Sequence, residues 1–133
     1  MGIYLKGGIL NFSNIMNLGN QGIGFYLDGA VTNKAASTLN MSGTVSQTAD
    51  TASKGIIANG SNTEISLNGL TLTEYDILTN KGSLGIYTEG ALNNTGTVKV
   101  GDYGLGIYLK SNPNTKSVNL GKIESGNNST ALY

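Results

Sequence analysis

The chain has no Cys, His, Trp or Arg, and only one Pro. Without Cys and His there is no disulfide, no thiolate nucleophile, no imidazole base and no Cys/His metal site. Without Arg there is no planar fork of the kind favoured for phosphate and base-edge recognition. The eight cations are all Lys, and eight Asp plus Glu balance them across 133 residues. No net charge therefore draws the chain toward nucleic acid or an acidic bilayer. Apolar runs are only a few residues long, too short for a spanning helix of about 20 residues. The partners expected from composition exclude nucleic acid and direct membrane insertion.

What the chain does have is repetition. Gly-Ile-Tyr-Leu-Lys occurs at residues 2–6 and again at 106–110. Looser copies start at Gly24, Gly55 and Gly85, and a sixth is Ala131-Leu132-Tyr133. The starts near 2, 24, 55, 85, 106 and 131 lie 22, 31, 30, 21 and 25 residues apart. Periods of this size mark a solenoid, in which each unit buries its apolar face only against its neighbours.

Aligned on the first Gly, the copies resolve into columns. Ile3, Phe25, Ile56, Ile86 and Ile107 are always apolar and form the expected inward column. Tyr4, Tyr26, Tyr87, Tyr108 and Tyr133 form an outward one, broken by Ile57. Lys6, Asp28, Asn59, Glu89 and Lys110 follow, always polar. Alternation with a period of two is that of a strand with one buried face. Lys6-Gly7, Asp28-Gly29, Asn59-Gly60 and Glu89-Gly90 then read as turns in which Gly supplies a positive φ.

Each unit carries a second apolar segment, such as Leu39-Asn40-Met41, and a third, such as Thr97-Val98-Lys99-Val100. Between them stands Asn14, Gly43, Gly69, Gly96 or Gly121, expected to adopt a left-handed corner. Helical periodicity is not sustained anywhere. The fold class expected is all-β: a right-handed parallel β-helix of five to six coils, each of three short strands. It forms one segment, 1–133, with corner insertions near 30–38, 46–54 and 73–83. Strands about 4.8 Å apart make it a rod on the order of 25 Å long. Both ends break inside the repeat, so the chain reads as an uncapped excerpt. Adjoining coils of a longer chain, or end-to-end self-association, would cover those ends.

The candidate sites are surface features. An outward Tyr ladder would stack on sugar rings or meet a partner protein. The structural alternative, that stacked identical residues pin register, carries more weight. The polar column places opposite charges at Lys6/Asp28 and Glu89/Lys110, which read as register and solubility devices. Glu64, Glu74 and Asp76 are the carboxylates that would matter in a polysaccharide-cleaving β-helix. They have no basic companion and Glu74 and Asp76 lie in a corner insertion, so a solvated loop is expected. Gly19 to Gly24 lacks both the Lys-Ser/Thr of a phosphate-binding loop and a following helix. No cofactor and no metal are expected.

The Gly-Ile-Tyr phrase alternates with Asn-Asn-Thr-Gly-Thr-Val-Lys-Val (93–100) and Leu-Asn-Met-Ser-Gly-Thr-Val (39–45). This style resembles the passenger domains of large Gram-negative autotransporter adhesins, over essentially the whole chain. The resemblance implies secretion through a C-terminal outer-membrane barrel and display on the bacterial surface. It also implies contact with a host or bacterial surface protein or glycan, and it carries over no catalytic residue. The expected function is thus a rigid, non-enzymatic segment of a surface adhesin. A polysaccharide-acting lyase or tailspike-like β-helix is the alternative, and a self-assembling fibre module is a third.

Overall fold

The computed structural model of the chain describes residues 1–29, 35–47, 51–110 and 113–133. All regular structure among them is β, and it forms a parallel β-solenoid of about four turns. The first coil holds β1 (Ile3–Leu5), β2 (Gly8–Phe12) and β3 (Ile15–Leu18). The second holds β4 (Ile23–Asp28), β5 (Ser37–Met41) and β6 (Thr44–Gln47). In the third, β7 (Lys54–Asn59) precedes β8 (Thr63–Leu72), and a small hairpin follows, β9 (Tyr75–Asp76) with β10 (Lys81–Gly82). The fourth has β11 (Leu84–Thr88) and β12 (Ala91–Val100). Shorter strands complete the stack: β13 (Leu105–Leu109), β14 (Val118–Asn119), β15 (Lys122–Glu124) and β16 (Thr130–Leu132).

The repeated phrase builds one six-stranded sheet in the order β1-β4-β7-β11-β13-β16. Its register follows the sequence alignment: Ile3 pairs with Phe25, Phe25 with Ile56, Ile56 with Ile86, Ile86 with Ile107 and Ile107 with Leu132. A second sheet, β14-β12-β8-β5-β2, carries β3, β6 and β15 as side pairings. Leu39, Ile65 and Leu92 stack in one of its inward columns, and Val45, Leu70 and Val98 in another. All are buried, together with Phe25, Ile56, Ile86 and Ile107 from the first sheet. Full burial of each large aliphatic side chain contributes about 1.5–3 kcal/mol. The core is therefore a stack of layers, each contributed by one coil and closed by the next.

The coils differ from expectation in three ways. There are about four turns rather than five to six. The strands after β13 are only two or three residues long, and β16 is the single strand of its coil. Second, the three-strand coil holds for the first two turns and for the coil of β13, β14 and β15, but β8 and β12 each run ten residues through the intended corner. The break between segments survives only as a register shift between Asn94 and Thr97. Third, the corner residues are not left-handed: none of Asn14, Gly43, Gly69, Gly96 and Gly121 has a positive φ. At Gly43, Gly96 and Gly121 a Cβ would instead collide with the backbone of the preceding coil, at Asn14, Asn68 and Gly96 respectively. Close approach, not turn conformation, requires glycine there.

Of the four strand-closing turns, only Gly7 and Gly60 have positive φ, at 78° and 90°. The insertions also shrink. Ser37 and Thr38 already belong to β5, Ser46 and Gln47 to β6, and Lys54 to β7. Residues 30–34 and 48–50 lie outside the described residues.

Candidate interaction surface

The phrase strands present Tyr side chains on the face opposite the core, because alternate residues of a strand point to opposite sides. Tyr4 is 49% exposed and Tyr133 70%, whereas Tyr26, Tyr87 and Tyr108 are half-buried. The rings stack on one another along the rod. Tyr4 and Tyr26 have centroids 5.6 Å apart and planes within 16°. Tyr87 and Tyr108 are at 5.2 Å and 27°, and Tyr108 and Tyr133 at 4.9 Å and 25°. Each stacked pair turns its flat faces toward itself and leaves ring edges toward solvent. A sugar stacks on a ring face, so the ring faces paired within each stack are closed to glycan rings. Ile57 pairs with Tyr26 and Tyr87 and separates a two-ring from a three-ring stack.

The phenols are tied to the polar column beside them. Tyr4 Oη donates to Asp28 Oδ2 at 2.7 Å, and Lys6 Nζ lies 4.0 Å from the same oxygen. Tyr87 Oη donates to Glu89 Oε1 at 2.7 Å, and Lys110 Nζ reaches that oxygen at 3.2 Å. The same trio of phenol, carboxylate and ammonium thus occurs twice, on either side of the Ile57/Asn59 coil. Donation to Glu89 pushes the Tyr87 phenol up to about 12, since losing the proton would place two anions side by side. The Tyr4 phenol is raised for the same reason, by Asp28. Glu89 is held below its usual value by the Tyr87 hydrogen bond and then by Lys110.

The acidic candidates do not converge. Glu64 lies near the start of β8, where Thr38 Oγ1 is 3.4 Å from its Oε2. Glu74 follows the other end of β8. Asp76 turns to the hairpin tip and accepts a hydrogen bond from Leu78 N at 2.9 Å. Its carboxyl is held low by hydrogen bonds from Thr79 and Leu78. Among the described residues no three His, Cys, Asp or Glu side chains gather as a metal site.

Sequence reasoning missed the serines that brace the corners. Ser37, Ser53 and Ser83 are buried. Ser37 Oγ accepts from Gly7 N and donates to Asp28 O, both at 2.7 Å. Ser83 Oγ accepts from Ser53 N at 3.0 Å and donates to Glu74 O at 2.9 Å. Their signal was available: Ser53 and Ser83 each stand two residues before the Gly of a phrase copy. Asn94 is buried too, within the inward column of Leu67. Its Nδ2 donates to Asn119 Oδ1 at 2.7 Å and its Oδ1 accepts from Gly96 N at 3.2 Å.

On the second sheet, Asn40 Nδ2 donates to Asn11 Oδ1 at 2.9 Å. These residues border an open cleft of about 450 Å³, flanked by Ser66, Asn68 and Thr95. No protein-family model, curated protein or solved structure matches the chain. The surface carries amide and hydroxyl rows and the Lys99–Glu124–Lys122 ion pairs on one sheet, and stacked phenols with two ion-paired carboxylates on the other. Both offer hydrogen-bonding groups over several coils.

Proposed function

We propose that the chain is a rigid, non-catalytic rod segment of a bacterial surface adhesin of the autotransporter passenger type. It supports or contributes to contact with a host or bacterial surface protein or glycan. The observation that carries this reading is the continuity of like residues up the stack. The inward apolar column and the Tyr column run over several coils and Asn11 stacks beneath Asn40, while Glu64, Glu74 and Asp76 are spread over both ends of β8 and the hairpin. Repetition of this kind builds length and stiffness from nearest-neighbour contacts, and it offers a partner many equivalent polar contacts along one axis.

The test is adhesion of beads coated with the folded chain to bacterial and epithelial cells and to immobilised glycans. Uncoated beads and beads carrying an unfolded Ile86→Asp chain serve as references. Adhesion that requires the folded chain supports the proposal. Depolymerisation of a polysaccharide by the purified chain, without durable adhesion, would refute it in favour of an enzyme. Sequencing the DNA on either side of the coding segment tests the secretion context separately, through an encoded signal peptide and outer-membrane barrel.

A further inference from the structure

The chain holds two Asn-Gly pairs, Asn59-Gly60 and Asn68-Gly69. In such a pair the side-chain amide and the next backbone nitrogen meet with least hindrance, because glycine has no Cβ beside that nitrogen. The two pairs sit differently. Asn68 lies within β8, its Nδ2 donates to Ser42 O at 3.1 Å, and Gly69 pairs with Thr97 in the ladder. No side-chain hydrogen bond holds the Asn59 amide among the described residues. Asn59 is the last residue of β7, and Gly60 leaves the strand at φ 90°. Both are half-buried and Ser61 beside them is exposed, so water reaches the pair.

Asn59 also has a carboxylate on either side. Asp28 pairs with it in the ladder, and on the other side Glu89 N donates to Ala58 O at 3.0 Å. The Gly60 N–H is directed at the Glu89 carboxylate, which Tyr87, then Lys110 and then that N–H hold below its usual value. A carboxylate facing the proton of an attacking nitrogen is placed as a general base. We infer that Asn59-Gly60 is a self-modification site, which loses its side-chain amide to water with Glu89 as the base. Gly60 N attacks Asn59 Cγ, and its proton passes to Glu89. The Cγ–Nδ2 bond then breaks, the nitrogen leaves as ammonia with that proton, and a cyclic imide remains. Water adds to either imide carbonyl and opens the ring to aspartate or isoaspartate. The product puts a third carboxylate between Asp28 and Glu89, in coils about 4.8 Å apart, where like charges repel. Isoaspartate also takes out of the backbone the Asn59 carbonyl that accepts from Gly29 N at 2.7 Å. The joint between the second and third coils is thereby loosened. This chemistry does not depend on the adhesive reading.

The folded chain, held at neutral pH and sampled over time, is digested with trypsin and sequenced by fragmentation mass spectrometry. Both pairs fall in the peptide 55–81, so Asn68 serves as an internal reference. Asn59 is expected to convert at least about tenfold faster than Asn68, and Glu89→Gln to remove most of that advantage while leaving Asn68 unchanged. Tyr87→Phe takes away the phenol that donates to the same carboxylate but keeps the base, so Asn59 should still convert faster than Asn68. In the converted fraction, isolated by ion exchange on its added negative charge, amide exchange at Gly29 should speed up. Conversion of Asn59 no faster than that of Asn68 would overturn the inference, as would a preference that persists undiminished in denaturant. So would a rate that Glu89→Gln leaves unchanged, or that Tyr87→Phe lowers as far. Unaltered exchange at Gly29 would overturn the loosening of the joint. Should Glu89→Gln fail to fold, Glu89→Asp draws the carboxylate back from Gly60 and should slow Asn59 likewise; an unchanged rate there counts equally against the inference.

Discussion

Replacing Gly24 by Ala adds one methyl group, and the direction of its effect separates two accounts of the repeated glycine. Gly24 lies in β4 and does not have a positive φ. On local grounds Ala should stabilise by about 0.4–1 kcal/mol, by restricting the unfolded chain. The stacked coils reverse that expectation. A Cβ at Gly24 would lie 2.6 Å from the carbonyl oxygen of Gly55 in the next coil, and 3.2 Å from Met16 Sδ. Relief to an ordinary contact near 3.4 Å requires the coils to part by about 0.8 Å there. Applied to the adjacent hydrogen bond from Lys54 N to Gly22 O, now 2.8 Å, the same shift takes it to about 3.6 Å, past hydrogen-bonding distance. Overpacking of this kind costs about 1–3 kcal/mol, which lowers the Tm by roughly 3–10 °C for a chain of this size. Gly19→Ala is the control, because a Cβ at Gly19 meets nothing within 4 Å and its φ is not positive. It should leave the Tm unchanged or raise it slightly. Thermal melts followed by circular dichroism decide the matter. If Gly24→Ala is as stable as the parent, or moves with Gly19→Ala, close approach of the coils is not why glycine stands there.

Ile86→Asp, which places a carboxylate in a fully buried column, should cost more than about 4 kcal/mol. Tyr87→Ser, losing one stacked ring on the outer face, should cost about 1 kcal/mol; equal denaturation midpoints would disprove the inward and outward assignment. Ultraviolet titration of the parent against Tyr87→Phe should show one phenol ionising near 12, and Glu89→Gln should return it toward the usual tyrosine range. Because that phenol is raised on folding, its stabilising contribution is complete below about pH 10 and is lost as the pH climbs through its folded value. Glu89 has the opposite sign: its pKa is lowered on folding, so its contribution is present above the usual glutamate range and fades on acidification. Ser83→Ala leaves the Ser53 N–H and the Glu74 carbonyl without their shared hydroxyl, at about 1–3 kcal/mol. Hydrogen exchange should speed up at Ser53 and through residues 75–82; unchanged exchange would mean that the hydroxyl is not the brace.

The stack itself was legible because its information is local and repeated. An apolar residue after each Gly, a Tyr after that and a polar residue two further on fix the alternation of one strand. Six copies then fix which strands lie in register, since any other pairing would mismatch the columns. The carboxylates and lysines of the polar column could be matched for the same reason: Lys6 with Asp28, and Glu89 with Lys110. The acidic candidates were less readable. Whether Glu64 approaches Glu74 depends on the course of β8, and β8 runs straight through the glycine expected to end it.

The sequence by itself determined the solenoid, the identity of its inward and outward columns and the two charge pairs of the polar column. Each of these follows from side-chain periodicity within a few residues. The pairs of Glu124 with Lys99 and Lys122 were not anticipated. Only the tertiary structure decided why the glycines are glycine, how the tyrosine rings face, which serines are buried and where the hairpin points Ile77 and Leu78. These depend on contacts between coils, whose partners lie 21 to 31 residues apart in the phrase strands. The separation of the coils along the axis, a few ångströms, is a property of the stack and not of any one unit.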